Sequence, residues 1–183
     1  ERKINIQWIA AEDIEKHGAE QLLGSARGII VPGGFGERGL EGMIATANYA
    51  RISKIPYLGL CLGMQIMVVE YARNELGIAD ATSLEIDPNA ANPVIAFMDG
   101  QEELHSTGGT MRLGSYPCVL KQGTRVRDAY EQETVNERHR HRYEFNNDYR
   151  VQLEEAGLVA SGTSPDGSLV EVTEVYGHPF MVG

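Results

Sequence analysis

The sequence predicts an α/β fold: an open, mostly parallel sheet flanked by helices, with a partly antiparallel C-terminal portion. Up to residue 73, short apolar runs alternate three times with longer runs that mix apolar and charged side chains. Strand–helix repeats of this kind form parallel sheets with right-handed crossovers. Further along, two apolar runs flank Ser164-Pro165-Asp166-Gly167, a sequence typical of a tight turn. Strands joined by a tight turn pair antiparallel.

The elements of the first half follow from the spacing of apolar residues. Residues 3–9 alternate apolar and polar side chains, as a strand does. Residues 28–31 form a short apolar run that stops at Pro32, and we expect it to be buried on both faces. The predicted strands are 3–9, 28–31 and 55–60, and the predicted helices are 12–23, 40–53 and 62–73.

The second half has a weaker pattern. Asp-Pro and Asn-Pro pairs make 74–92 irregular, and 98–109 is predicted to be a polar loop. The predicted strands are 94–97, 110–120 with a break at Gly114, 137–146, 158–161 and 169–175, and the predicted helix is 148–156.

Length and composition indicate one globular domain that spans residues 1–183. Hydrophobic residues make up 42% and charged residues 23%, with no apolar run of membrane-spanning length and no signal-peptide pattern. The formal net charge of −10 argues against a nucleic-acid partner. The two cysteines lie far apart and form neither a disulfide framework nor a zinc pattern. We therefore expect no metal and no membrane partner, and a reducing, cytoplasmic setting.

The stretch 56–65 (Pro-Tyr-Leu-Gly-Leu-Cys-Leu-Gly-Met-Gln) predicts a nucleophile at a strand-to-helix turn. Gly59 and Gly63 flank Cys61 in a Gly-x-Cys-x-Gly pattern, which is the nucleophile elbow with sulfur in place of a hydroxyl. A helix N-terminus favours a thiolate, so we expect a lowered pKa for Cys61. The alternative is a buried, inert cysteine in an ordinary turn.

A thiolate that attacks a carboxamide needs N–H donors for the developing oxyanion. The backbone N–H of Leu62, directly after Cys61, is one candidate donor. The glycine-rich stretch 33–36 follows the preceding strand and is the candidate for the second. A phosphate-binding loop is the rival interpretation of that stretch, but the Gly-Lys-Ser/Thr ending is missing.

The run 138–143 (Arg-His-Arg-His-Arg-Tyr) predicts a strand with three arginines on one face and two histidines with a tyrosine on the other. An arginine in a cleft can hold a substrate carboxylate through two hydrogen bonds. A solvated, charged strand is the alternative. A cysteine nucleophile also needs a base. None of the five histidines is convincing in that role by pattern: His17, His105, His139, His141 and His178.

Four stretches together resemble the glutamine amidotransferase domain of the CTP synthase family. They are Pro-Gly-Gly-Phe-Gly at 32–36, Gly-Leu-Cys-Leu-Gly-Met-Gln at 59–65, Gly-Gly-Thr-Met-Arg-Leu-Gly at 108–114 and Glu-Arg-His-Arg-His-Arg-Tyr-Glu at 137–144. The elbow alone indicates the wider class I, triad-type amidotransferases. The last two stretches narrow the resemblance to CTP synthases, and it covers essentially the whole chain.

This resemblance implies a flavodoxin-like fold and the hydrolysis of L-glutamine to glutamate and ammonia through a cysteinyl thioester. Cys61 matches the family nucleophile, and the N–H groups of Gly34 and Leu62 match its oxyanion donors. Three positions match residues that hold the substrate: Gln65, Glu85 for the α-ammonium group, and Arg142 for the α-carboxylate. No cofactor is implied in this domain.

The resemblance also implies partners outside this sequence. The ammonia passes to a synthetase domain of the same polypeptide, which uses ATP and Mg²⁺ to aminate UTP to CTP. GTP is the allosteric activator, and the full-length protein is a homotetramer.

Two departures from the family pattern bear on activity. The family's catalytic His and Glu belong to a His-Pro-Glu motif, expected just beyond Gly183, and His178-Pro179-Phe180 is not that motif. The family also has a first strand and helix before a segment like 3–9. The chain is therefore expected to be a piece cut at both ends, with little glutaminase activity alone. The alternatives are another triad-type γ-glutamyl amide hydrolase and a catalytically silent fragment.

Overall fold

Two sheets and their helices make up the fold in the computed structural model, which describes residues 3–97 and 111–183. The strands are β1 (Ile29–Val31), β2 (Tyr57–Gly59), β3 (Thr82–Ser83), β4 (Pro93–Phe97), β5 (Arg112–Leu120), β6 (Thr134–His141), β7 (Tyr143–Phe145), β8 (Leu158–Thr163), β9 (Val170–Val175) and β10 (Met181–Val182). The helices are α1 (Ala11–His17), α2 (Ala19–Leu23), α3 (Leu40–Ile52), α4 (Leu62–Asn74), α5 (Arg125–Tyr130) and α6 (Arg150–Ala156), with a 3-10 turn at Asn147–Tyr149.

The larger sheet has seven strands in the order β1-β2-β10-β9-β8-β5-β6, and the smaller has the order β3-β4-β7. In the larger sheet, β1, β2 and β10 are parallel, and every later pair is antiparallel. The α/β class with an antiparallel C-terminal portion is thus confirmed, but the sheet is mixed rather than mostly parallel. A short turn joins β8 to β9 and accounts for their antiparallel pairing, whereas β5 and β6 pair antiparallel across residues 121–133, which include α5.

The segment 3–9, predicted as a strand, forms no strand. Ile4, Ile6 and Trp8 are 80%, 71% and 89% exposed. Alternation of apolar and polar residues makes a strand only where a neighbouring strand supplies hydrogen bonds, and none within the described ranges pairs with this segment.

Two further predictions in this half were too simple. The helix predicted over 12–23 is divided into α1 and α2 by Gly18, whose φ of 84° no right-handed helix accommodates. The strand over 28–31 is buried on one face only, since Ile30 is 65% exposed. In the described part, β1 is an edge strand with a single neighbour, so one face of its short apolar run remains uncovered.

Helix α4 forms the centre of the core. Met67, Val68 and Ala72 are fully buried, and apolar residues lie on every side of the helix. Its neighbour α3 packs against it, and both match their predicted ranges closely. With 13 residues each, these two helices are too short to cross a bilayer, and no other helix within the described ranges has the length and apolarity to do so.

The later part of the chain departs from prediction at Arg142. The strand predicted over 137–146 is two strands: β6 belongs to the larger sheet and β7 to the smaller, with Arg142 between them. Conversely, β5 runs without a break through Gly114, which pairs with His139. The loop predicted over 98–109 lies outside the described residues. Three short elements were missed, because two to six residues carry no readable periodicity: β3, α5 and β10.

Candidate active site

Cys61 stands at the tip of the turn between β2 and α4, as the Gly-x-Cys-x-Gly pattern predicts. Its backbone has φ 54° and ψ −105°, in a region that residues with a Cβ seldom adopt. Strain of this kind persists only where the surrounding structure imposes it, and it is found at nucleophile elbows. The strained turn leaves the residue exposed at the mouth of a cleft.

The flanking glycines are required by close packing. A Cβ atom on Gly59 would lie 2.5 Å from the carbonyl group of Gly63, and one on Gly63 would lie 2.1 Å from the carbonyl oxygen of Val31. Both distances are far below van der Waals contact. The first turn of α4 can therefore cross β1 and β2 at this short distance only if both positions lack side chains.

The glycine-rich loop after β1 lies directly against the elbow. A Cβ on Gly33 would be 3.4 Å from the Cβ of Cys61, and one on Gly34 would be 3.2 Å from a methyl group of Leu62. Leu62 follows Cys61 directly as the first residue of α4. The loop and the elbow, separated by a helix in sequence, thus lie in contact in the fold.

A cleft of about 260 Å³ opens above Cys61. Five of the six predicted site residues line this cleft: Gly34, Cys61, Gln65, Glu85 and Arg142. The sixth, Leu62, directly follows Cys61 in the sequence. Sequence reasoning missed the remaining lining residues, which are Phe35, Met111, His141 and Tyr143. All four belong to the stretches quoted above. The motifs therefore identified the segments that form the cleft, but not which side chains of those segments face it.

Glu85 is held beside the glycine-rich loop. Its Oε1 accepts a hydrogen bond from the N–H of Gly36 at 3.2 Å, and its own N–H donates to the hydroxyl of Ser83 at 3.1 Å. These contacts fix a carboxylate in the cleft wall, where no pattern in the irregular stretch 74–92 would have singled it out.

Arg142 and Gln65 occupy other positions in the cleft wall. Arg142 is exposed at the junction of β6 and β7, and its guanidinium makes no ion pair with any residue that the structure describes. Gln65 is 8% exposed and donates from Nε2 to the carbonyl oxygen of Tyr143 at 3.1 Å. With Glu85, the cleft presents one carboxylate and one guanidinium, a charge pair that suits an α-amino acid.

The thiol of Cys61 does not have the lowered pKa that its helix N-terminus suggested. Partial burial of the sulfur beneath the cleft mouth raises its pKa, and the charges of Glu85 and Glu144 raise it further, whereas the N–H of Leu62 acts in the opposite direction. The expectation was wrong because desolvation of the sulfur, together with the two carboxylates, outweighs the favourable effect of the Leu62 N–H. The thiol hydrogen also has an acceptor nearby, the carbonyl oxygen of Arg140 at 4.0 Å from Sγ.

A pH-dependent alkylation rate follows from this raised pKa. Since only the thiolate reacts, the rate with iodoacetamide is expected to rise about tenfold per pH unit from pH 7 upward and to continue rising past the ordinary thiol value of 9.0. Mass spectrometry of the peptide that contains Cys61 measures this. Cys118 is the internal control, because it is fully buried and its pKa is raised to about 12. A plateau below pH 8 would contradict the assignment.

The histidines fall into different environments. His141 lines the cleft, but Nδ1 contacts the carbonyl oxygen of Tyr143 at 3.1 Å and Nε2 contacts His139 at 2.8 Å. His178 is 1% exposed, with Nε2 at 3.2 Å from the carbonyl oxygen of Ala50 and Nδ1 accepting from the N–H of Phe180. Both rings are therefore occupied. His17 lies on α1 and is exposed, and His105 lies outside the described residues.

Comparison with known proteins gives one consistent relationship. A model of the class-I glutamine amidotransferases matches residues 1–182. The chain is 59% identical over 182 residues to a CTP synthase of Dehalococcoides mccartyi, covering 100% of this chain and 34% of that protein. It is 54% identical over 179 residues to a CTP synthase of Bacillus licheniformis, covering 98% and 34%. The chain thus spans about a third of the length of these relatives.

A solved structure extends the agreement to three dimensions. The Trypanosoma brucei CTPS glutaminase domain with bound acivicin matches with a TM-score of 0.91 and 35% sequence identity, over 99% of this chain and 71% of that one. The resemblance inferred from the four stretches is confirmed. The chain therefore belongs to the class-I glutamine amidotransferase family, among the glutaminase domains of CTP synthases.

Proposed function

We propose that, within the intact protein, this chain hydrolyses L-glutamine to glutamate and ammonia at Cys61, as the glutaminase half of a CTP synthase. The observation that carries the proposal is the assembly of a strained cysteine, an adjoining glycine-rich loop and a pair of opposite charges in one cleft. A thiol with oxyanion donors attacks carboxamides. The charge pair selects a zwitterionic amino acid over a simple amide.

In this proposal Glu85 meets the α-ammonium group of glutamine and Arg142 meets its α-carboxylate, with Gln65 also contributing to substrate binding. A guanidinium binds a carboxylate through two parallel hydrogen bonds, which fixes orientation as well as position. Neutralisation of Glu85 by the substrate has a second effect. Since that carboxylate raises the pKa of Cys61, bound ammonium offsets the increase and favours the thiolate when substrate is present.

The proposed chemistry has two steps. Sγ of Cys61 attacks the side-chain amide carbon, the N–H groups of Gly34 and Leu62 stabilise the oxyanion, and the C–N bond breaks to release ammonia with a proton. Water then cleaves the thioester to glutamate and regenerates the thiol. A base must take the thiol proton, and His141, the described imidazole in the cleft wall, has both nitrogens engaged. The family resemblance puts the base in a His-Pro-Glu motif that follows a segment like 178–183.

The proposal extends to partners through the relatives, of which the chain spans 34%. We propose that ammonia reaches a synthetase domain of the same polypeptide, which uses ATP and Mg²⁺ to convert UTP to CTP in the cytoplasm. GTP acts as the allosteric activator, and the intact protein is a homotetramer. No cofactor is proposed in this domain. Among the described residues, no group of three or more His, Cys, Asp or Glu side chains is arranged to hold a metal.

The test is ammonia release from L-glutamine by the intact protein, with and without GTP. The expected result is hydrolysis that rises when GTP is added. Cleavage of γ-glutamyl peptides without a GTP response would instead support another triad-type γ-glutamyl hydrolase. No ammonia from either substrate, in protein that folds and exposes Cys61 to iodoacetamide, would indicate a catalytically silent protein.

A further inference from the structure

Behind the Arg142 side of the cleft lies a cluster of ionisable side chains that the proposed reaction does not use. Its members are Arg112, His139, His141, Glu144 and Glu171, on β5, β6, β7 and β9, and their side chains are between 2% and 15% exposed. Buried charges are costly unless paired, so such a cluster calls for a reason.

One end of the cluster is a fixed ion pair. The guanidinium of Arg112 binds both carboxylate oxygens of Glu171, with Nη1 at 2.7 Å from Oε2, and it stacks 4.5 Å from the ring centre of Tyr116. Nε2 of His139 lies 3.7 Å from the same Glu171 oxygen. The ring of His139 also packs edge-on against Tyr116. The contact with Tyr116 on β5 limits the orientation of the His139 ring, whereas its buried Nε2 has no hydrogen-bond partner among the described residues.

From His139 a defined chain of hydrogen bonds leads to the cleft. Nδ1 of His139 is 2.8 Å from Nε2 of His141, and Nδ1 of His141 is 3.1 Å from the carbonyl oxygen of Tyr143. A carbonyl oxygen can only accept, so Nδ1 of His141 carries a proton. In a neutral ring Nε2 then accepts, and Nδ1 of His139 donates to it. Burial lowers the pKa of both rings, which favours these neutral forms.

This chain of hydrogen bonds ends at the backbone beside Arg142, at the bend between β6 and β7 that we call the Arg142 corner. The carbonyl oxygen of Tyr143 receives two hydrogen bonds at 3.1 Å, one from Nδ1 of His141 and one from Nε2 of Gln65. The contact from residue 141 to residue 143 closes a loop around Arg142, where the chain leaves β6 and enters β7. Because this contact joins the residues on either side of Arg142, it restricts the direction in which the Arg142 side chain leaves the backbone.

We propose that His141 is a positioning residue for the glutamine site. The hydrogen bond from His139 keeps the proton of His141 on Nδ1, and this N–H binds the carbonyl oxygen of Tyr143. Because Gln65 binds the same oxygen, the contact holds Arg142 and Gln65 in a fixed relative position. The proposal rests on the proposed function. His141 does not act as the base, since both of its nitrogens are engaged. Glu144 faces the same proton, with Oε1 at 3.4 Å from Nδ1 of His141 and no hydrogen-bond partner.

The test uses the fact that Asn and Gln mimic different imidazole nitrogens. An Asn amide can place its N–H near the position of Nδ1, whereas a Gln amide reaches toward Nε2. In the intact protein, His141→Gln is expected to raise KM for glutamine about three- to tenfold, equivalent to one lost hydrogen bond, with little change in kcat. His141→Asn is expected to stay within about twofold. Arg138→Gln, an exposed position on the same strand outside the cleft, is the matched control.

A second readout separates positioning from general damage. His141→Gln is expected to slow labelling of Cys61 by a glutamine analogue with an electrophilic side-chain end, but not by iodoacetamide, which needs no substrate site. A double-mutant cycle with Arg142→Gln tests whether the effect of His141 on KM depends on Arg142. If His141 acts through Arg142, the KM effect of His141→Gln disappears in the Arg142→Gln background. Should His141→Gln not fold, comparison of His139→Gln with His139→Asn tests the preceding hydrogen bond, from Nδ1 of His139 to Nε2 of His141.

The outcomes distinguish two failures. Wild-type turnover of glutamine with equal KM in the Gln and Asn variants, or additive effects in the cycle, would overturn the positioning role alone. Wild-type protein that neither releases ammonia nor prefers the glutamine-like electrophile over iodoacetamide would overturn the proposed function and, with it, this role.

Discussion

Replacement of Cys61 by alanine is expected to lower glutamine-dependent ammonia release by at least about 10³-fold, because no other thiol among the described residues lines the cleft. Cys118, the second cysteine, is fully buried, and its pKa is raised to about 12. It packs in a separate cluster with Leu120, Val126 and Val135. The measurement is ammonia release by the intact protein at saturating glutamine and GTP.

Two controls make this result specific. Cys118→Ala removes a thiol of the same kind from a site outside the cleft, and we expect turnover within about twofold of wild type with a modest loss of stability. If the intact protein is the CTP synthase proposed above, ammonium salt added to the Cys61→Ala protein will restore conversion of UTP to CTP, since it bypasses glutamine hydrolysis. Undiminished hydrolysis of glutamine by Cys61→Ala would refute the assignment of the nucleophile.

Replacement of Glu70 by alanine is expected to destabilise the fold by about 3–5 kcal/mol. This carboxylate is completely buried on α4, where Oε1 accepts from Asn48 at 2.9 Å, Asn74 at 3.0 Å and Arg51 at 2.9 Å. Without it, a nearly buried guanidinium and two amides lose their shared acceptor. Urea unfolding followed by circular dichroism measures the change.

Glu75 provides the matched control for this prediction. It pairs with the same guanidinium, Nη1 of Arg51, but its side chain is 39% exposed. Water screens and replaces such a contact, so Glu75→Ala is expected to cost no more than about 1 kcal/mol. An equal decrease in the free energy of unfolding for Glu70→Ala and Glu75→Ala would show that burial of the ion pair does not determine its contribution to stability.

The contrast between these two acids illustrates what the sequence leaves undecided. Glu70 and Glu75 are both acids near the end of one helix, and nothing in their spacing distinguishes them. The difference arises from α3, which supplies Asn48 and Arg51 across the helix interface. A carboxylate's contribution depends on what it faces, and that is a property of packing.

The local elements of the candidate site were predictable for a related reason. The Gly-x-Cys-x-Gly pattern predicts the turn from neighbouring residues alone, and Cys61 is found in that turn with φ 54°. The four quoted stretches also identified the family, as the comparisons confirm. The substrate-binding roles of Glu85 and Arg142 came from resemblance, however, and remain predictions, although both residues line the cleft.

By itself, the sequence determined the α/β class, the elbow at Cys61 and the family. Each of these depends on short motifs of neighbouring residues or on the periodic spacing of apolar side chains. The tertiary structure alone decided that residues 3–9 form no strand, that the chain changes sheets at Arg142, and that the pKa of Cys61 is raised. Strand pairing, the path of a corner and the electrostatics of a thiol all depend on groups distant in sequence. Glu85 and Glu144 raise the pKa of Cys61 from segments that only folding brings beside it.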